Sequence, residues 1–161
     1  MKAFISLCLL AVFLISSCGV YTFNPRGKSD ISRINVERFE NETSEFGIED
    51  RMTNQIIDAF IADGTLKIVP TEDAQAILTG SLIEYDRKPY NADENDVVES
   101  YSVRMTFNVK LTNSADGVDM WTERISQQGI YRLADETEED GQQRAIELLI
   151  ENIINKTTKS W

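Results

Sequence analysis

Apolar side chains recur along this chain with two different periods, and the switches between them mark out its elements. Ile34 and Val36 share one parity while Arg33, Asn35 and Glu37 take the other, so Ile31 to Phe39 reads as a first strand. A polar loop covers Asn41 to Gly47. Ile48, Met52, Ile56, Ile57, Phe60 and Ile61 then recur at helical spacing and predict one broad apolar face. Glu49 and Asp50 fall in the first turn, where the helix dipole favours negative charge, and Gly64 supplies a C-terminal stop. Leu66 to Val69 returns as a short strand before Pro70. A turn over Thr71 to Ala74 leads to a further strand, Ala76 to Arg87, in which Gly80 marks a bulge or a close backbone approach.

Alternation is clearest after this. Val97, Tyr101, Val103, Met105, Phe107, Val109 and Leu111 share one parity, broken by Glu99, and Ser100, Ser102, Arg104, Thr106, Asn108, Lys110 and Thr112 hold the other. Ser114-Ala115-Asp116-Gly117 has the chemistry of a type I turn closed by a glycine at positive φ, which makes a hairpin with a bulge. With Ser114 facing Val118, Leu111 faces Trp121, Phe107 faces Ile125 and Tyr101 faces Tyr131 on the apolar side. Glu123, opposite Val109, is an acidic exception on that side.

A last helix is expected from Thr137 to Trp161, capped by Thr137-x-x-Asp140, with Ala145, Ile146, Leu149, Ile150, Ile153 and Ile154 on one face. Glu138, Glu139 and Asp140 open it and Lys156 and Lys159 close it, both in keeping with the dipole. The expected fold is α+β: a two-layer sandwich of two helices on one face of a mixed four- to five-stranded sheet, in the order β-α-β-β-β-β-α, with the other sheet face open.

The N-terminus follows neither period. Met1-Lys2 precedes an apolar run from Ala3 to Ile15, the layout of an export signal, and that run is shorter than the roughly 20 residues a lasting membrane span needs. Ile15-Ser16-Ser17-Cys18 resembles the lipobox at which bacteria acylate a cysteine thiol and cleave before it. Residues 1–17 are therefore read as a signal peptide, 18–30 as a lipidated Cys18 with a tether, and 31–161 as one α+β domain. The only other cysteine, Cys8, lies in the discarded segment, which leaves Cys18 no intramolecular partner. One acyl chain binds a membrane marginally, whereas two or three hold it. The residues after Cys18, Gly19-Val20, include no aspartate retention signal, so delivery to the outer membrane is the expectation.

Charge narrows the partners. The chain holds 16 Lys and Arg against 27 Asp and Glu, and loss of Lys2 with the signal takes the net charge from −11 to −12. That balance repels polyphosphate, and no basic run offsets it, so nucleic acid is an unsuitable partner. Histidine is absent, which removes the usual general base and the commonest metal ligand. No nucleophile elbow, Walker loop or dinucleotide-binding fingerprint occurs. The acidic loops Asp93-Glu94-Asn95-Asp96 and Asp135 to Asp140 read as solvated turns and a helix cap; the second places glycine and its final position wrongly for a calcium hand. The expectation is a non-enzyme with no cofactor beyond the covalent lipid.

Several segments, taken in order, point to a family: Cys18-Gly19-Val20-Tyr21-Thr22-Phe23; Ile34-x-Val36-x-x-Phe39-x-Asn41-x-Thr43; Asp63-Gly64-x-Leu66-x-Ile68-Val69; Leu78-Thr79-Gly80-x-x-Ile83; and Tyr85-x-Arg87-x-Pro89. Trp121, Gly129-x-Tyr131 and Thr137-Glu138 continue the series. Together they resemble the LPS-assembly lipoprotein family, LptE. The resemblance implies a lipid-anchored subunit on the periplasmic side of the outer membrane, seated partly inside the LptD β-barrel, where it plugs the lumen, aids barrel assembly and contacts lipopolysaccharide. A hairpin with one polar face suits the polar interior of such a barrel. The resemblance also implies basic residues turned toward lipid phosphates. The hairpin register offers Arg104, Lys110 and Arg124 on the polar face, and Arg87 and Lys88, beside Pro89 and Tyr90, offer a second patch. The alternative is a periplasm-facing binding lipoprotein of another envelope or secretion complex.

Overall fold

The structure, a computed structural model, describes residues 31–159; the signal segment, Cys18 and its tether lie outside the described residues. Strands β1 (Arg33–Val36) and β2 (Glu40–Asn41) precede helix α1 (Ile48–Asp63). Strand β3 (Lys67–Ile68), a 3-10 turn (Thr71–Asp73), β4 (Ala76–Ala92), β5 (Val98–Asn113) and β6 (Asp119–Arg132) follow, and α2 (Glu138–Lys159) closes the chain. The sheet runs β3-β1-β4-β5-β6, with β2 also pairing to β4. It is mixed: β1 is parallel to β3 and β4, whereas β4, β5 and β6 form an antiparallel meander.

The expected first strand, Ile31 to Phe39, is shorter, and an unexpected second strand follows it, because the chain steps aside at Phe39 and pairs again with β4 at Ser81 and Leu82. Phe39 is fully buried, and a β-carbon placed on Gly80 would lie 2.1 Å from its ring. Gly80 therefore marks a close approach. The bulge comes slightly later: Leu82 pairs with Phe107 and Glu84 with Thr106, so Ile83 is the extra residue. Strand β4 runs on past Arg87 through Pro89, which is tolerated because, among the described residues, β4 has no neighbour but β5 beyond its pairing with β2.

Both helices cover the face that carries Val103, Met105, Phe107, Val109 and Leu111, all buried. In α1, Ile48, Met52, Ile56 and Phe60 join this core. Ile61, expected on the same face, is 63% exposed, because the buried stripe follows Ile48, Met52, Ile56 and Phe60 and Ile61 lies one position, about 100°, round the helix from it. Buried Thr53 satisfies itself by donating to the Glu49 carbonyl at 2.7 Å and accepting the Phe39 N–H at 2.9 Å. Helix α2 contributes Ala145, Ile146, Leu149 and Ile153, and Gln55 of α1 donates to Gln143 of α2 at 2.7 Å.

The β5–β6 ladder has the expected register, with Tyr101 opposite Tyr131, Phe107 opposite Ile125 and Leu111 opposite Trp121. Near the turn it departs: Thr112 pairs with Asp119, and the Asn113 N–H donates to Val118 rather than Ser114 facing it. Gly117 closes the turn at φ 70°. Glu123 does face Val109, and on that side its carboxylate accepts from Lys156 of the covering helix α2 at 2.5 Å. Lys156 in turn lies over the Trp121 ring. The α2 cap forms as expected: the N–H and hydroxyl of Thr137 donate to Asp140 at 2.7 and 2.9 Å and hold its carboxyl below the usual range.

Candidate functional site

The sheet face away from the helices is the broad surface that the described residues leave without a second layer. The even positions of β5 cross it: Ser102, Arg104, Thr106, Asn108, Lys110 and Thr112. Their β6 partners are Ile130, Gln128, Ser126, Arg124, Thr122 and Asp119. On β4 the bulge at Ile83 exchanges the parities, so Glu84, Asp86 and Lys88 lie on this face beside Thr106, Arg104 and Ser102. Hydroxyls and amides dominate it, and each base on it has a carboxylate or amide in reach.

Arg124 donates to Glu84 at 2.5 Å, a pair that crosses β5 beside buried Thr106. The Arg124 contact, with a further hydrogen bond from Thr106, holds the Glu84 carboxyl below its ordinary range. Lys110 stands 3.8 Å from Asp119. Arg104 donates to Gln128 at 3.1 Å, and Lys88 lies 2.6 Å from Asp86. Arg124 sits diagonal to Lys110, but Arg104 and Lys110 are six positions apart on one strand, about 20 Å at roughly 3.3 Å per residue. The three hairpin bases thus share a face without forming one cluster.

Arg87 and Lys88 are separated outright. Arg87 pairs with Val103 and is on the helix side, where its guanidinium lies 3.9 Å from the Tyr101 ring centre. It also donates to the Tyr131 hydroxyl at 2.6 Å and stands 3.2 Å from Glu138. The Tyr131 contact raises the Arg87 pKa further. Beside it, the Tyr85 hydroxyl donates to Glu138 at 2.5 Å and accepts from Gln142 at 2.9 Å, and burial raises its pKa. Arg87 therefore belongs to a network that seats the start of α2 on the sheet, and Lys88 alone of the pair faces outward.

Sequence reasoning missed Glu84 and Asp86, two of the acids that answer these bases, because their facing depends on the bulge. It also missed a groove of about 500 Å³ on the open face, lined by Thr79, Ser81, Asn108, Lys110 and Thr122 and walled by Arg38 and Glu40. Strand parity alone marks the last three of its lining residues. Among the described residues, no group of three His, Cys, Asp or Glu side chains could hold a metal ion, and no helix is long and apolar enough to cross a membrane.

Fold and face together define the class: a small two-layer α+β domain that presents one polar, internally ion-paired sheet surface. Solved bacterial structures share this architecture at low identity. The protein XCC0632 from Xanthomonas campestris is similar at TM-score 0.61 and 10% identity, over 84% of this chain and 88% of that one. The hypothetical protein CT253 from Chlamydia trachomatis gives 0.58 at 9% identity, over 79% and 98%. Lipoprotein GNA1162 from Neisseria meningitidis gives 0.50 at 13%, over 78% and 96%. The chain belongs to LptE, the lipopolysaccharide-assembly family, whose model matches residues 31–157. No curated protein matches the chain at significance.

Proposed function

We propose that this chain is a non-enzymatic, lipid-anchored subunit of a lipopolysaccharide transport translocon in the outer membrane. Cys18 carries the acyl chains, the tether spaces the domain from the bilayer, and the domain sits within an LptD-like β-barrel, aiding its assembly and the passage of lipopolysaccharide. Family membership sets the process. The observation that carries the finer reading is the open sheet face. A surface of hydroxyls and amides with its bases already answered by Glu84, Asp86, Asp119 and Gln128 suits a water-filled, polar barrel interior, where an apolar face would not be solvated and an unpaired charge would attract ions. Lipopolysaccharide phosphates would then bind by competing with those carboxylates for Arg124 and Lys110.

Purification of the processed chain from membranes in mild detergent tests this reading. A large β-barrel is expected to co-purify, and the mature N-terminal sulfur is expected to carry fatty acyl mass. A soluble or inner-membrane partner would instead favour a binding lipoprotein of another envelope complex, and an unmodified sulfur would remove the anchor.

A further inference from the structure

Strand β6 is the last in the sheet, and among the described residues no further strand covers its outer edge. In an antiparallel ladder alternate residues direct their N–H and C=O toward the neighbour and away from it. Leu133 donates to Glu99 of the β5 side, which sets odd positions inward and even positions outward. Two outward groups at the upper end are already occupied: the Arg132 N–H donates to Glu136 at 2.7 Å, and the Ile130 carbonyl accepts from Arg144. Below them the outward backbone groups of Thr122, Arg124, Ser126 and Gln128 have no hydrogen-bond partner among the described residues.

The other long free edge is treated differently. Beyond its pairing with β2, strand β4 is interrupted by three register shifts and carries Pro89 and Lys88, devices that stop another strand from pairing. From Trp121 to Arg132 strand β6 has no proline and no register shift. Its charged side chains are also drawn off the edge, Glu123 to Lys156 and Arg124 across the sheet to Glu84. A groove runs alongside, between β6 at Gln128 to Ile130 and the α2 side chains Arg144, Glu147, Leu148 and Glu151. Leu148 is 42% exposed there. Arg144 is committed to Glu136 at 2.6 Å, whereas Glu147 and Glu151 form no salt bridge among the described residues.

We propose that this edge and groove receive an extended segment of a partner protein as an added antiparallel strand, with an apolar side chain on Leu148 and Lys or Arg beside Glu147 and Glu151. Edge pairing supplies main-chain hydrogen bonds, and the helix wall supplies selectivity. Charge argues against a second copy, since a two-fold pairing of β6 would bring the acidic walls of two strongly acidic chains toward each other. The proposal does not depend on the translocon reading.

The probe is a seven-residue, end-capped peptide with threonine at odd positions and lysine, valine and lysine at positions 2, 4 and 6, so that one strand face carries both the apolar and the basic side chains; it is added to the processed full chain in detergent, with amide hydrogen exchange followed residue by residue. Saturable binding is expected, with exchange slowed at least tenfold at Thr122, Arg124, Ser126 and Gln128. A peptide N-methylated on alternate amides, and one with glutamate for lysine, should each lose the effect. On the protein, Ser126→Pro removes an outward N–H without breaking a ladder bond and should weaken binding at least tenfold. Glu147→Lys/Glu151→Lys changes two exposed helix positions, tests the charge preference independently, and should switch preference to the glutamate peptide. Failure of the lysine peptide to bind, protection that survives both protein variants, or protection that appears without peptide as the chain dimerises would each overturn the proposal.

Discussion

The Gly141 carbonyl of α2 rests on the backbone of Gly129 in β6, so close that a β-carbon at Gly129 would stand 1.8 Å from its oxygen. The obstacle is backbone in the first turn of a helix whose cap is fixed by Asp140 and whose next turns are buried at Ala145 and Ile146, so it cannot swing aside. Gly129→Ala must lift α2 off the sheet. A loss of about 3 kcal/mol is expected, at the upper end of overpacking costs. Gly117→Ala, which meets open space and costs only the left-handed backbone, should lose about 1 kcal/mol. Urea unfolding of both variants measures the difference, and equal midpoints would contradict the contact.

Arg87 and Lys88 are neighbours in sequence with opposite duties. Arg87→Ala removes a guanidinium stacked on Tyr101 and bonded to Tyr131 and Glu138, and should cost about 1–2 kcal/mol. Arg87→Lys should recover little of it, since an ammonium lacks the planar fork. Lys88→Ala removes one exposed partner of an ion pair and should stay within about 0.5 kcal/mol of the parent. Thermal melts of the three variants check the order.

That split shows what the chain makes legible and what it hides. The β5–β6 register could be read because a period of two and a Gly117 turn act on the same few residues and agree. On β4 the same rule misleads, since one extra residue at Ile83 reverses the facing of Glu84 to Pro89, and no local chemistry names Ile83 over its neighbours. The core positions of both helices follow from spacing, but how wide the buried stripe is, and so the exposure of Ile61 at its margin, is set by the packing partners. Glu123 looked misplaced until Lys156, thirty-three residues away, was brought beside it. The long-range answers to local oddities are the part that one-dimensional pattern does not carry.

Acid should loosen the connection between β6 and α2. Glu136 accepts from Arg144 at 2.6 Å and from the Arg132 N–H at 2.7 Å, and these contacts, Arg144 foremost, depress its carboxyl to about 2. A carboxyl with a lower pKa folded than unfolded adds stability that is complete above the unfolded value near 4.5 and is lost as pH falls toward 2. Glu136→Gln should therefore lower the melting temperature at pH 7 and flatten its fall between about pH 5 and 2.5. A variant curve parallel to the parent throughout that window would show that Glu136 is not a source of the acid sensitivity.

On the open face, the proposed role in lipopolysaccharide contact makes the acids as informative as the bases. Arg124 and Lys110 are held by Glu84 and Asp119, and an exposed pair of this kind is worth about 0.2–1 kcal/mol. A phosphate must displace those partners before it can use the bases. Glu84→Gln and Asp119→Asn each release one base and remove one repelling charge, so each should tighten binding of purified lipopolysaccharide about two- to fivefold. Arg104→Glu, Lys110→Glu and Arg124→Glu should weaken it without unfolding the domain. Arg124→Glu should do so most strongly, because it sets a second carboxylate beside Glu84. Titration in detergent at low and at raised salt separates this from general electrostatics, since the gain from Glu84→Gln should shrink as salt rises. If the acid-removing variants bind no better and the charge reversals bind as well as the parent, lipopolysaccharide does not use this face.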